Sequence, residues 1–415
     1  MLKQNKRKVL IFLDLPRNTN NYLNEIKKLD LEIIILLPLK SKNAKITYNK
    51  RVNRYYKLNF MEFNEVLSFI KKTILSVYDV IRIMTHNEYN IELCGFLEEN
   101  LIYSPIINSK IARLCRDKKA MRDKLKKIGC YTLDYTIVNH VEDAIDFYSQ
   151  RNKSIVLKPR FGTASLGVVK INNISDIRKY FKLIKMTTLT YLTGQKDNII
   201  AEEYFEGKEY GIESLMHNGK LQLFVVSEKP YSFKPPFFEE SIYFSRPDLS
   251  KNEFRELSAF VERINIEFGV VNGPSHLELR INDGKRFVIE IAARNGSSFK
   301  YLSRVLRKPF EAVQLKNLLG IDQKKRLVND ASKNVAYYLM QSPGKGKLVR
   351  IDGLKKAKEI KEVFSIDLFK KKGDQIVPFP FFNGYIGTIY AEGKNRKETL
   401  NSIVQAHNSI KIIIR

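Results

Sequence analysis

Cysteine is scarce in this chain: Cys94, Cys115 and Cys130 are the three among 415 residues. They stand apart, without the spacing of a metal site, which argues against a disulfide framework or a cysteine-ligated zinc and leaves buried thiols. No uncharged run approaches the roughly 20 residues that cross a bilayer, and the apolar stretch VLIFLDL, about seven residues, is too short for a signal-peptide core. A cytoplasmic protein without a membrane partner is expected. No polar low-complexity tract interrupts a composition that is 44% hydrophobic, so the chain should fold, and its length allows two or three domains. Glycine is missing from DLPRNTN, the turn after the first strand, which removes a dinucleotide-binding fingerprint. Acidic residues are the minority, and the formal net charge is +27. Lysines run from the first residues to Lys411 with no arginine-rich stripe and no base-stacking motif. The charge therefore reads as a compositional bias and not as a specific nucleic-acid site. Non-specific sticking to nucleic acid at low salt is expected all the same.

Apolar runs at Lys8–Leu15 and Leu31–Leu37 predict strands on either side of a helix over Thr19–Lys28, an α/β opening. Phe60–Ser76 reads as a helix, Val80–Met84 as a strand and Ile91–Glu99 as a helix, closing a first domain near residue 112. Ile111, Leu114, Met121, Leu125 and Ile128 have near-helical spacing and predict a single helix from Ile111 to Ile128.

The most informative stretch is VLKPRFGTASLGVVKI, Val156–Ile171. Ser154–Pro159 predicts a strand, Arg160–Gly167 a loop and Val168–Ile171 a return strand. Gly162 and Gly167 permit positive φ and close backbone approach, and Thr163 and Ser165 leave room for phosphate oxygens. Free N–H groups can donate to those oxygens, and Lys158 supplies a point charge. No G-K-[ST] follows, so the stretch suits a flap over phosphates and not a P-loop. A tight hairpin carrying a surface lysine is the other reading.

A second constellation is HLELRINDGKRFVIEIAARNG, His276–Gly296. It predicts two alternating strands joined at Asn282-Asp283-Gly284. Pairing without a bulge around Gly284 sets Glu278 opposite Glu290, on one face of the ladder. Two opposed carboxylates repel unless something positive lies between them, and a hard cation such as Mg²⁺ with bound phosphate fits. Two structural alternatives stay open: the carboxylates could face solvent, or could pair with Arg280 and Arg286.

Taken in order, DKKAMR (Asp117–Arg122), VLKPRFGTASLGV, AEEYFEGKEYGIE (Ala201–Glu213) and HLEL followed by IEIAARNG make Asn108–Phe299 resemble the ATP-grasp superfamily. Within it, the resemblance is to ATP-dependent carboxylate–amine ligases of the amino-acid and dipeptide type. It implies a multidomain α/β and α+β fold of the ATP-grasp class. Residues 1–112 would form an N-terminal open α/β domain, 113–205 a small subdomain with the glycine-rich flap, 206–340 a large subdomain with the metal site, and 341–415 a C-terminal α+β appendage. It also implies ATP and Mg²⁺, with Mn²⁺ as a substitute. By position, Lys118 and Lys158 would contact the nucleotide, and Gly162, Thr163, Ser165 and Gly167 would close on the β- and γ-phosphates. Glu202, Glu203 and Phe205 would form the hinge at the adenine, with Glu209 as the ribose-side acid. Glu278 and Glu290 match the metal acids, and Arg294 matches an arginine beside the transferred phosphoryl group. His276, which parity places on the Glu278 face, matches a family histidine expected to orient a neighbour or meet substrate. One departure is Ala292, where the family usually has an asparagine two residues after the second metal acid.

Ser227–Pro247 is rich in aromatic residues and proline and suits a pocket wall. There Lys229, Lys234 and Arg246 could receive a carboxylate, while Phe237, Phe238 and Tyr243 could surround an apolar side chain. Leu249–Phe268 and Tyr301–Leu319 predict helices. Short strands and turns follow from Val335, and Arg350 and Phe382–Gly387 are places where the appendage could complete the substrate cavity. The expected function is an ATP-dependent ligase acting on a small-molecule carboxylate and an amine, one of them amino-acid-like, through an acyl-phosphate. The alternatives are a carboxylase-like relative and a nucleotide-binding scaffold without catalysis. A homodimer is the prior for such an enzyme.

Overall fold

The computed structural model describes residues 6–15, 19–39, 52–191, 199–229, 236–322, 325–329, 332–380 and 384–415. The first unit contains β1 (Arg7–Leu13), α1 (Thr19–Lys28), β2 (Glu32–Pro38), β3 (Arg54–Leu58), α2 (Phe63–Phe69), β4 (Tyr78–Met84) and α3 (Ile91–Leu101). Its strands form a parallel sheet in the order β3-β2-β1-β4. The apolar runs of β1 and β2 are buried almost throughout, as strands covered on both faces must be. A π-helical turn, Ile70–Ile74, extends α2.

The helix predicted over Ile111–Ile128 is two: α4 (Ser109–Arg116) and α5 (Lys118–Lys127). Asp117 between them is extended (φ −88°, ψ 102°), and its carboxylate caps α5 by accepting from the Lys119 and Ala120 amides. The break sets Lys118 at the first turn of a new helix.

Next come β5 (Tyr135–Val138), α6 (Val141–Ser149), β6 (Ile155–Pro159), β7 (Val169–Ile171), α7 (Ile174–Tyr191) and β8 (Ile199–Glu203). They build a four-stranded antiparallel sheet, β5-β8-β6-β7, over an apolar cluster shared with α6 and α7. The flap is the β6–β7 connection.

The rest of the chain is dominated by one sheet. Its first elements are β9 (Lys208–His217), β10 (Lys220–Glu228), β11 (Ile242–Phe244), α8 (Lys251–Glu267), β12 (Gly273–Asn282) and β13 (Lys285–Ala292). They are followed by α9 (Phe299–Leu306), α10 (Phe310–Leu318), β14 (Leu327–Val328), β15 (Asn334–Met340), β16 (Gly346–Asp352) and α11 (Leu354–Lys358). The chain closes with β17 (Val363–Leu368), β18 (Gln375–Ile376), β19 (Gly387–Gly393), α12 (Arg396–Ser409) and β20 (Lys411–Ile414). Nine strands join as β13-β12-β9-β10-β11-β15-β19-β17, with β14 pairing on β10. The C-terminal strands β17 and β19 thus continue the sheet that carries β12 and β13. A small sheet, β18-β16-β20, packs beside it.

The helix predicted over Tyr301–Leu319 is also divided, because Arg307 takes a left-handed conformation (φ 53°) just before Pro309. The hairpin differs from the bulge-free expectation. Its turn is the two-residue Asp283-Gly284, both at positive φ, so Asn282 pairs with Lys285, and a bulge then follows between Glu278 and Leu279. The bulge shifts the register by one residue and brings Glu278 opposite Glu290.

One hydrophobic cluster runs from Val9 and Ile34 through Cys94 and Leu97 to Ile212, Leu277 and Ile291, so the N-terminal unit and the large sheet share a core. All three cysteines are free and buried. Among the described residues no helix is long and apolar enough to cross a membrane.

Candidate active site

A cavity of about 750 Å³ lies between the four-stranded sheet and the large sheet. Every nucleotide- and metal-site residue that the resemblance implied, except Gly167, lines it: Lys118, Lys158, Gly162, Thr163, Ser165, Glu202, Glu203, Phe205, Glu209, His276, Glu278, Glu290 and Arg294. In the flap, Ala164, Ser165 and Gly167 have φ of 53°, 54° and 72°. A Cβ at Gly167 would also approach Pro159 and Thr187 to 3.1–3.3 Å, so this corner needs glycine on two counts.

Two lysines approach the cavity from different elements. Lys118 donates to the Gly162 carbonyl at 2.9 Å and lies 3.6 Å from Glu290. Lys158, on β6, pairs with Glu202 on β8, and Glu202 also receives Arg122 at 2.8 Å. Burial works against the Glu202 charge, yet Arg122 and Lys158 hold its carboxyl down at about 2. Burial pushes the Lys158 ammonium down to about 8, against the pull of Glu202. Arg122 also donates to the Val288 and Ile289 carbonyls, at 2.6 and 3.1 Å, and so ties α5 to β13. At the expected adenine end, Phe205 stacks on Phe287 with ring centroids 5.4 Å apart.

Glu278 and Glu290 sit opposite each other on β12 and β13, their side chains 14% and 20% exposed. Neither alternative partner serves them. Arg280 forks onto Glu209 at 2.8 and 3.0 Å, and Arg286 pairs at the surface with Glu256. Instead Glu278 Oε1 receives Lys229 Nζ at 2.8 Å and lies 3.3 Å from His276 Nε2. Burial opposes its charge, but Lys229 and His276 hold the carboxyl far below the usual range. Lys229, which sequence reasoning offered to a substrate carboxylate, is thus already engaged, donating also to Glu209 at 2.9 Å.

His276 Nδ1 lies 2.7 Å from Glu213 Oε1, and Glu213 in turn accepts from Asn295 and from the Gly296 and Ser297 amides. Burial disfavours the imidazolium, yet Glu213 and Glu278 raise its pKa to about 10. The ring is boxed in: a Cβ on Gly296 would meet it at 2.6 Å. Arg294 pairs with Glu88 of the N-terminal unit, which also lies 3.6 Å from Arg116.

The donor set fits a hard divalent cation in part. Both contacts to Glu278 fall on Oε1, so Oε2 has no hydrogen-bond partner among the described residues, and Glu290 has Lys118 at 3.6 Å and feels the charge of Arg294. Among those residues no cluster of three or more acidic, histidine or cysteine side chains could enclose a metal by itself. Phosphate and water oxygens would have to complete the shell.

Sequence reasoning missed Arg122, Glu213 and Glu88. The first two stood inside quoted motifs, but only the fold shows that they grip Glu202 and His276; nothing local marks Glu88. Arg246 is exposed, and Arg350 pairs with Asp352 at the surface. Lys234 and Phe382 lie outside the described residues.

The flap and the carboxylate pair that face each other across the cleft lie within residues 151–300, which match a family model described as an ATP-grasp domain. The chain has the ATP-grasp fold. A second model, L-amino acid ligase C-terminal domain 2, matches residues 339–415. It is 25% identical over 319 residues, 75% of each chain, to an L-arginine-specific L-amino acid ligase of Bacillus subtilis. To dapdiamide A synthase of Enterobacter agglomerans it is 21% identical over 313 residues, 72% of each chain. An L-amino acid ligase from Bacillus licheniformis superposes with a TM-score of 0.82 over the whole of both chains at 23% identity. An N5-carboxyaminoimidazole ribonucleotide synthetase from Thermotoga maritima gives 0.72 at 15% identity, covering 99% of this chain and all of the other. The chain therefore shares the ATP-grasp fold with ligases and carboxylases and is similar to L-amino acid ligases.

Proposed function

We propose that the protein joins a carboxylate to an amine at the expense of ATP, with an amino-acid-like compound as a substrate, through an acyl-phosphate. The observation that carries this reading is the single cavity in which Lys118, Lys158 and the flap face Glu278, Glu290 and Arg294. Phosphoryl transfer needs positioning and charge balance and no covalent residue, and these side chains supply both.

Lys158 and Lys118 would hold the polyphosphate under the amides of Gly162–Gly167. Mg²⁺, or Mn²⁺ in its place, would bind at Glu278 and Glu290 and neutralise phosphate charge. Arg294, fixed by Glu88, would face the carboxylate as one of its oxygens takes the γ-phosphoryl group and ADP leaves. The neutral amine then adds to the acyl carbon, phosphate departs, and the ammonium proton passes to phosphate or water. A closed flap keeps water from the acyl-phosphate. Tyr243, Tyr337, Tyr385 and Tyr390 line the same cavity, walls that suit an amino-acid-sized acceptor better than bicarbonate. A cytoplasmic homodimer with no specific nucleic-acid partner belongs to the same proposal.

The test is phosphate release from Mg-ATP across paired pools of carboxylic acids and amines, arginine among them, with mass detection of products. Release that requires a member of each pool is expected, and Glu290→Ala should lower turnover by about a hundredfold or more while changing nucleotide binding far less. Full turnover in Glu290→Ala, or stimulation by bicarbonate alone, would overturn the assignment.

A further inference from the structure

We propose that this site takes one divalent cation with its nucleotide and not two, because the Lys229 ammonium permanently supplies the charge that a second would bring. The inference rests on the nucleotide-site reading above and deepens it.

Lys229 is built into place. It follows β10 directly, its amide donates to the Glu209 carbonyl at 2.9 Å, and its side chain is 9% exposed. Its ammonium lies 2.8 Å from Glu278, 2.9 Å from Glu209 and 3.9 Å from Glu240. Removing it would take away the one cation that three carboxylates share, leaving Glu278 with His276 and Glu209 with Arg280, in a place shielded from bulk water where like charges repel most strongly. His276 approaches the same Glu278 oxygen, Oε1, and cannot swing aside between Glu213 and Gly296. One oxygen of Glu278 is thereby occupied by Lys229 and His276, and the other remains for a single metal ion shared with Glu290.

The opposite strand offers no substitute. Residue 292 pairs with His276, two positions along the face that carries Glu290. It is an alanine, 1% exposed, whose side chain has no atom to coordinate. Mg²⁺ demands six oxygens in near-ideal geometry. A first ion finds two carboxylates; a second would have Glu290 as its one protein ligand.

Mn²⁺ titration of the full chain, read by electron paramagnetic resonance with and without a non-hydrolysable ATP analogue, counts ions without turnover. One nucleotide-dependent Mn²⁺ per chain is expected in the wild type and in Lys229→Arg. Two are expected in Lys229→Met, where the released carboxylates can hold the second. Two ions in the wild type would overturn the proposal, and this count stands even if Lys229→Met does not fold. A count of one in folded Lys229→Met would overturn the role given to Lys229. If calorimetry shows no analogue binding and no nucleotide-dependent Mn²⁺ appears, the nucleotide-site reading itself falls, an outcome distinct from binding with the wrong stoichiometry.

Discussion

Lys158 is a nucleotide-site residue whose charge the surroundings make conditional. Burial lowers its pKa to about 8, so the ammonium is largely present at pH 7 and is lost as pH rises through that value. At pH 9 about one chain in ten keeps it. ATP-analogue affinity should therefore fall several-fold between pH 7 and 9. Lys158→Arg, charged throughout, should flatten that fall, and calorimetry at a pH series checks both. The lysine itself was legible in the sequence, since it stands in an apolar strand next to a glycine loop. Its chemistry was not, because Glu202 reaches it from 44 residues away and is itself held by Arg122 across 80. The same holds for Glu88 and Arg294, whose contact spans 206 residues. Side-chain type and strand parity are local, whereas the partner that fixes a charge is chosen by the fold.

At the level of elements, the hairpin shows how a correct pairing can follow from a wrong turn. Asn282-Asp283-Gly284 announces a reversal, and alternation sets Glu278 and Glu290 on one face, but the two-residue turn alone would misalign them by one position. The bulge beside Glu278 restores the match. Bulges leave no composition signal here, so the sequence could not show that the register is repaired instead of simple. Helix breaks were missed although each carries a local signal: Asp117 is a favoured N-cap residue and Pro309 stands two residues after Arg307, but an apolar spacing that runs on through both positions hides them. The flap is the element whose conformation its residues specify most directly. Gly167→Ala would meet both a positive φ and close contacts to Pro159 and Thr187. It should lower kcat at least tenfold with a smaller change in the KM for ATP, while far-ultraviolet circular dichroism stays native. Steady-state kinetics would show the reverse pattern if the flap only helped ATP to bind.

For the molecule as a whole, the consequential fact is that β17 and β19 are strands of the same sheet as β12 and β13. Sequence patterning gave short strands after Val335 but no way to tell a separate appendage from an edge of the central sheet, because strand pairing across the chain leaves no local trace. A chain ended after Met340 would expose Ala336 and Met340 of the cluster that Ile389, Ala391 and Ile403 cover. It should lose soluble expression or cooperative melting, and a scanning calorimetry trace with the full-length transition would contradict this. Arg396 on α12 adds a fork onto Glu228 at 2.7 and 2.9 Å, one residue before Lys229. The ladder also limits how such a protein can diversify. Sliding the far wall by one residue would turn every side chain of that strand inside out, and β15, β19 and β17 would pass the misfit on to one another. A change in what this cavity accepts would therefore come from exchanging single side chains along a fixed weave or from lengthening loops at its rim, changes that leave the strands beneath the phosphate flap where they are.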